Sequence, residues 1–321
     1  MPFLIGTDEA GYGPNLGPLV ISASVWWLPD ALAPEELYAR LRRVICKAPA
    51  HGGPNERLAI ADSKALYSPG QGLRNLERGV LAALGLLDLT PQDWLGAWQA
   101  LHVGEHDGLS SLPWHANYDL RLPVAADPED IARVLPKLRR GLAAAGVRFV
   151  ALCSTAVFPE QFNHCTEKFG NKSTALSKIT LALVARVLEH CAGERVTIIC
   201  DKHGGRNFYQ RLLQEQFPDP LVEVHGESRS ESIYRWGPPH ERIEVRFRAG
   251  GETFMPAALA SMTSKYLREL AMRAFNDYWC GRIPDLAPTA GYPLDARRFR
   301  AAIRETQSTL GIADRILWRD R

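Results

Sequence analysis

The chain of 321 residues is long enough for one large domain or two ordinary ones, and 46% apolar residues can supply a sizeable core. No stretch approaches the roughly 18 to 20 uncharged apolar residues of a membrane span, and the amino terminus lacks the basic region and cleavage site of a secretory signal, so the expected address is the cytoplasm. A formal charge of +2 does not by itself announce a polyanion partner, and six scattered cysteines without a CxxC pair read as reduced, mostly buried thiols rather than a disulfide framework or zinc site.

Residues 3–8 and 19–27 (LVISASVWW) read as two strands of a hairpin, because the glycines and prolines of GYGPNLGP forbid a helix between them. A proline-bearing helical stretch is expected around 34–46, followed by the loop APAHGGPNE, the segment ADSKALYS and a helix near 73–86. Residues 90–130 have no clean period and read as an insertion. From 147, VRFVALCSTAVF reads as a strand. STALSKITLALVARVLEH follows as an amphipathic helix with Leu176, Ile179, Leu183 and Val187 at helical spacing.

VTIIC is a short apolar run of the kind buried on both faces of a sheet. LVEVH (221–225) and RIEVRFR (242–248) are further strands, the latter alternating Ile243, Val245 and Phe247 with Arg242, Glu244, Arg246 and Arg248. That arginine face is either an ordinary solvated surface or a phosphate-facing edge. A long helix begins near Pro256 in MPAALASMTSKYLRELAMRAF, and a short mixed tail runs from about 284. A hairpin followed by alternating strands and helices implies a mixed α/β sheet flanked by helices.

The first strand delivers Asp8 and Glu9 to its own end, and VTIIC ends on Asp201. Unpaired buried carboxylates cost several kcal/mol. If the two strands are parallel neighbours joined by the crossover helix, all three acids meet at the end of the sheet where open α/β folds bind ligands. On the long helix Ser261, Lys265, Arg268 and Glu269 share a face, so Glu269 can join them. Four such acids are tolerable together only with divalent cations, and oxygen ligands select magnesium or manganese over zinc. Two such ions suit phosphodiester hydrolysis. Each acid also has a plainer reading: a turn or helix cap for Asp8 and Glu9, a turn initiator for Asp201, and a surface salt bridge with Lys265 for Glu269. A dinucleotide site is rejected, because GYGPNLG lacks GxGxxG spacing and sets two anions where a pyrophosphate would lie.

On these residues the sequence resembles the type 2 ribonucleases H (RNase HII and its relatives). IGTDEAGYGPNLGPLVISA is similar to that family's DEAGRGP opening, ADSKAL to its DSKxL motif, ASMTSKYLRE to its ASxxAKVxRD helix, and GYPLDARRF to its GYGTxxH segment. The matches occur in family order over about half of the chain, the stretches near 28–58 and 90–140 looking like additions.

The resemblance implies a ribonuclease H-like fold, a mixed five-stranded sheet flanked by helices. It would comprise a catalytic domain over 1–282 and a C-terminal helical extension, 283–321, packed on the core. It implies an endoribonuclease that cuts the RNA strand of RNA/DNA hybrids, or ribonucleotides embedded in duplex DNA, with two magnesium ions (manganese as a substitute), leaving 3′-hydroxyl and 5′-phosphate ends; a monomer is expected, though nothing in the sequence fixes the oligomeric state. It assigns Asp8, Glu9, Asp201 and Glu269 as catalytic metal ligands, Glu269 standing where the family usually has aspartate. Gly11, Tyr12, Gly13, Lys64, Lys265 and Tyr292 become substrate-binding positions.

The sequence departs from the family where Tyr12 replaces a basic residue, which leaves this ring to stack on a base or sugar or to plug the turn. GYP also replaces GYG, and Arg297 or Arg298 stands for a histidine. His203 is either a proton shuttle or a polar loop residue, and His102, His106 and Asp107 have only loose metal-ligand spacing. No serine nucleophile is supported. The other classes left open are a nucleic-acid-binding protein of this fold without hydrolysis, and a nuclease for a different DNA or RNA structure.

Overall fold

A computed structural model of the chain describes residues 3–49, 56–68, 70, 72–104, 108, 109 and 111–320. The hairpin forms as its sequence requires: β1 (Phe3–Ala10) and β2 (Leu19–Trp27) pair antiparallel, Asp8 facing Ser22 across the ladder. The stretch expected as a helix to residue 46 is helical only over Pro34–Arg40. It then yields a two-residue parallel pair, β3 (Ile45–Cys46) with β4 (Leu58–Ala59), because Ile45 and Leu58 are drawn into the core. β5 (Arg148–Val157) follows and pairs antiparallel with β2.

The apolar run Val196–Asp201 forms β6, parallel to β1 and reached through the crossover helix Lys172–Leu188. β7 (Glu223–Glu227), β8 (Glu231–Trp236) and β9 (Ile243–Arg248) complete the large sheet, in the order β5-β2-β1-β6-β9-β8-β7. The mixed α/β sheet flanked by helices is therefore present, but it has seven strands where five were expected. β8 escapes a reading by hydrophobicity because its inward face is Ser232, Tyr234 and Trp236. The buried Ser232 is satisfied by donating to Asn207 O at 2.7 Å and accepting from Lys202 Nζ at 3.1 Å.

Two cores cover the faces of the sheet. One packs the long helix Met255–Cys280 on β1 and β2, and the other gathers Leu183 and Val184 of the crossover helix with Ile5, Ile198 and Phe247 of the sheet. The long helix sits so close that a Cβ on Gly6 would lie 2.0 Å from the Ala257 nitrogen, so glycine is required at this crossing. A buried serine relay, Ser264 to Ser22 to Ser154, each link 2.8 Å, ties this helix to β2 and β5.

The irregular segment after 90 contributes a helix, Trp94–Leu101. With Trp114 it buries Trp94, Trp98 and Leu101 in the same core as the long helix. From the tail, Phe299 packs its ring 5.5 Å from Phe275, and Trp318 bridges to Leu16. The arginine face of β9 is spent on ion pairs, Arg246 with Glu244, Arg242 with Glu223 and Arg248 with Glu231, and forms a solvated surface. All six cysteines are free. Among the described residues no helix is long and apolar enough to cross a membrane.

Candidate active site

Parallel register decides the position of the first acids. Thr7 pairs with Cys200, so the next residues, Asp8 near the end of β1 and Asp201 at the end of β6, come to the same end of the sheet, with Glu9 one step on. Asp201 Oδ1 accepts from the amides of Gly250 (3.1 Å) and Gly251 (3.3 Å), which draws the turn after β9 against β6.

The Asp8 carboxyl is pushed well above the usual carboxylate range, first by burial and then by Glu9 and Asp201, while a hydrogen bond with Ser261 acts the other way. Glu9 is raised to about 7 by burial and by the charge of Asp201, offset in part by Lys64. These groups sense one another, as sequence adjacency and strand register require. The long helix presents Ser261 and Ser264 here, and Ser264 Oγ donates to Asp8 O at 2.9 Å.

ADSKAL forms one helical turn, Ser63–Leu66, capped by Asp62, whose Oδ1 accepts from the Lys64 amide at 3.1 Å. It is pinned to the long helix by a hydrogen bond between the Ser63 and Ser261 hydroxyls, 3.1 Å apart. This docking places Lys64 beside the acids: its pKa is raised by Asp62 first, then by Glu252, Asp8 and Asp201.

Glu269 goes elsewhere. It lies eight residues beyond Ser261 on the long helix, about 12 Å along the axis. There it accepts from Tyr67 Oη at 2.7 Å and from Lys265 Nζ at 2.6 Å, with Lys265 also 4.5 Å above the Tyr67 ring. The plainer reading of Glu269, an i,i+4 helix pair, is the one the structure realises, and it occupies Lys265 as well.

The acid that sequence reasoning missed is Glu252, in the turn Gly251–Thr253. It acts on both Glu9 and Lys64, and its Oε2 is buried without a hydrogen-bond partner. No motif marks it. Its only signal is the tight GGET turn, where a Cβ on Gly251 would touch the Asp201 backbone at 3.1 Å. Among the described residues no three His, Cys, Asp or Glu side chains stand as close as a shared metal ion requires. As donors the acids suit a hard divalent cation: oxygen only, anionic, and in Glu252 one buried oxygen with nothing to bind.

The glycine turn is fixed from below. Gly11 adopts φ +89°, and a Cβ there would meet Arg268 Nε and Pro18 O at 2.5 Å. Buried Arg268 donates to Leu16 O (3.1 Å) and Ala290 O (3.2 Å), joining the GYG turn to the GYP segment. The Asn15 amide donates to Gly291 O at 2.8 Å. The exposed Tyr292 ring consequently stands 4.0 Å from where a Gly13 Cβ would be.

Tyr12 is half-buried, its hydroxyl against Gly204 and its ring 5.9 Å from Lys172 Nζ, and its pKa is raised by burial and then by Glu9. His203 is buried, lies 3.0 Å from Ser177 Oγ through Nδ1, and is pushed down to about 3 by burial and Arg206. It is therefore a neutral core group and no proton shuttle. His106 and Asp107 lie outside the described residues.

No protein-family model and no curated protein matches the chain. Solved structures similar to it include a ribonuclease H2 from Pyrococcus horikoshii OT3 (14% identity over 98% of this chain and 92% of that one, TM-score 0.45). An RNase HII from Archaeoglobus fulgidus, in complex with PCNA, is also similar (14%, 99% and 94%, TM-score 0.41). So is Bst-RNase HIII in complex with Mn2+ (13%, 98% and 65%, TM-score 0.40).

Proposed function

We propose that the protein is a divalent-metal-dependent endoribonuclease that cleaves the RNA strand of RNA/DNA hybrids, or ribonucleotides embedded in duplex DNA, to leave 3′-hydroxyl and 5′-phosphate ends. The observation that carries the reading is the placement of Asp8, Glu9 and Asp201 at one end of two adjacent parallel strands, where burial and the neighbouring acids push the Asp8 and Glu9 carboxyls upward. Half-buried acids held near one another against their charge cost stability, which Lys64 offsets in part and a divalent cation would offset further.

In this reading Asp8, Glu9 and Asp201, with Glu252, hold magnesium or manganese, and Glu269 holds Lys265 and Tyr67 in place. The bound metal would supply an activated water and a counter-charge for the leaving oxygen. Glu9, raised to about 7 by burial and Asp201 while no cation neutralises the acids, would give up its proton on binding a metal. Lys64, with its charge reinforced by the acids, faces a phosphate as a point charge. Tyr292 and the GYG turn, fastened together through Arg268, form one wall against the substrate sugar.

The test is cleavage of three duplexes with magnesium: one carrying a single ribonucleotide, one RNA/DNA hybrid and one all-DNA. Cutting confined to the first two, lost in Asp8→Asn and in Asp201→Asn, supports the reading. Cutting of the all-DNA duplex alone overturns the substrate assignment. Full activity in the Asp8→Asn, Asp201→Asn double variant overturns the site.

A further inference from the structure

Beside the Asp201 turn a cleft of about 370 Å³ opens between the crossover helix and the helix Gln210–Gln216. Lys168, Lys178, Arg206 and Arg211 line it, with Glu215 as the one carboxylate of the lining, and Phe169 and Phe208 supply ring faces. Glu215 pairs with Lys178 and Arg211, so the cleft keeps an excess of positive charge.

Two features go beyond a charged surface. Phe208 is 69% exposed, a large loss for a phenyl ring that has a core within reach. Arg206 is held by donating from Nη2 to Thr174 Oγ1 at 2.7 Å, and its Nε is buried with no hydrogen-bond partner. An exposed ring beside cationic groups fits one nucleotide of a polynucleotide, the base on the ring and the phosphate on the cations. The volume admits a base and its phosphate, and a double helix is too wide for it.

Tyr12 stands between the cleft and the acids. Arg206 acts on Tyr12, whose hydroxyl lies against Gly204, and Tyr12 in turn senses Glu9. We infer that this cleft binds an unpaired nucleotide of the strand leaving the candidate active site, with the base stacked on Phe208 and the phosphate held by Arg206 and Lys168. The inference rests on the nucleic-acid reading above and names where a single-stranded flank goes.

The test is fluorescence anisotropy of the full chain in EDTA, comparing a blunt duplex with the same duplex carrying a short single-stranded overhang, or an abasic overhang of equal length. The normal overhang should tighten binding roughly 10-fold, within the range of one stacked base. Phe208→Ala, or the abasic overhang, should abolish that advantage. Lys168→Ala should lower the salt slope by about one. Leu95→Ala, an exposed apolar truncation elsewhere, should keep the advantage.

An overhang advantage that survives Phe208→Ala, an abasic overhang that binds as well as a normal one, or no advantage at all overturns the inference. A blunt duplex weakened by Phe208→Ala as much as the overhang substrate assigns the cleft to duplex backbone and overturns it too. Binding needs no cleavage, so loss of the nuclease reading with the advantage intact, and the reverse, are separate results.

Discussion

Replacing Glu9 with glutamine should stabilise the metal-free protein while abolishing the proposed cleavage. The Glu9 carboxyl is held at about 7 against its ordinary 4.5, by burial and by Asp201. A raised acid contributes stability that is present below pH 4.5 and is lost as pH rises through 7. Ionising Glu9 in the folded state therefore costs up to the order of 3 kcal/mol, and water reaching the site reduces that figure. The neutral amide of the variant carries no such cost.

Urea unfolding in EDTA should find Glu9→Gln more stable than the parent at pH 8, by up to that amount, and indistinguishable from it near pH 4.5. His203, which titrates in both proteins, cancels from the difference. Excess magnesium should narrow the gap at pH 8 by stabilising the parent, since a ligand that binds only the folded state adds stability. A variant no more stable than the parent at pH 8 would refute the electrostatic account of the site.

Three other outcomes follow from particular contacts. Glu252→Gln should weaken Mn2+ binding measured by titration calorimetry several-fold, whereas Glu269→Gln, which removes a partner of Tyr67 and Lys265, should change it little and instead lower the melting temperature; the reverse ranking returns Glu269 to the metal. Gly6→Ala should destabilise by more than about 3 kcal/mol, because its Cβ would meet backbone rather than a movable side chain, and a parent-like melting curve would refute the close crossing. His203, depressed to about 3, contributes stability present above pH 6.5 and lost as pH falls through 3; His203→Phe should flatten acid unfolding below pH 6, and an unchanged acid limb would place the loss elsewhere.

The strand-end acids were legible in the chain because local chemistry dictates them. An apolar run that ends on Asp8 and Glu9, a second that ends on Asp201, and glycines and prolines that force a turn allow few arrangements. The parallel pairing of those strands, joined by a helix of the right length, likewise follows from handedness and reach. β8 and the short pair of β3 with β4 were not legible. The inward face of β8 begins on the polar Ser232 before Tyr234 and Trp236, and β3 and β4 are two-residue fragments whose burial depends on distant partners.

Sequence spacing by itself determined that Glu269 shares a helix face with Lys265, but not which way that face looks along 26 residues of helix. Tertiary docking decided it: contacts from Ser261 and Ser264 direct the first half of the helix toward Asp8, and about 12 Å of rise carries Glu269 to Tyr67 instead. Glu252 was invisible for the complementary reason. Its place beside Glu9 and Lys64 comes from a turn closed by two amides on Asp201, an arrangement that exists only once β6 and β9 are paired.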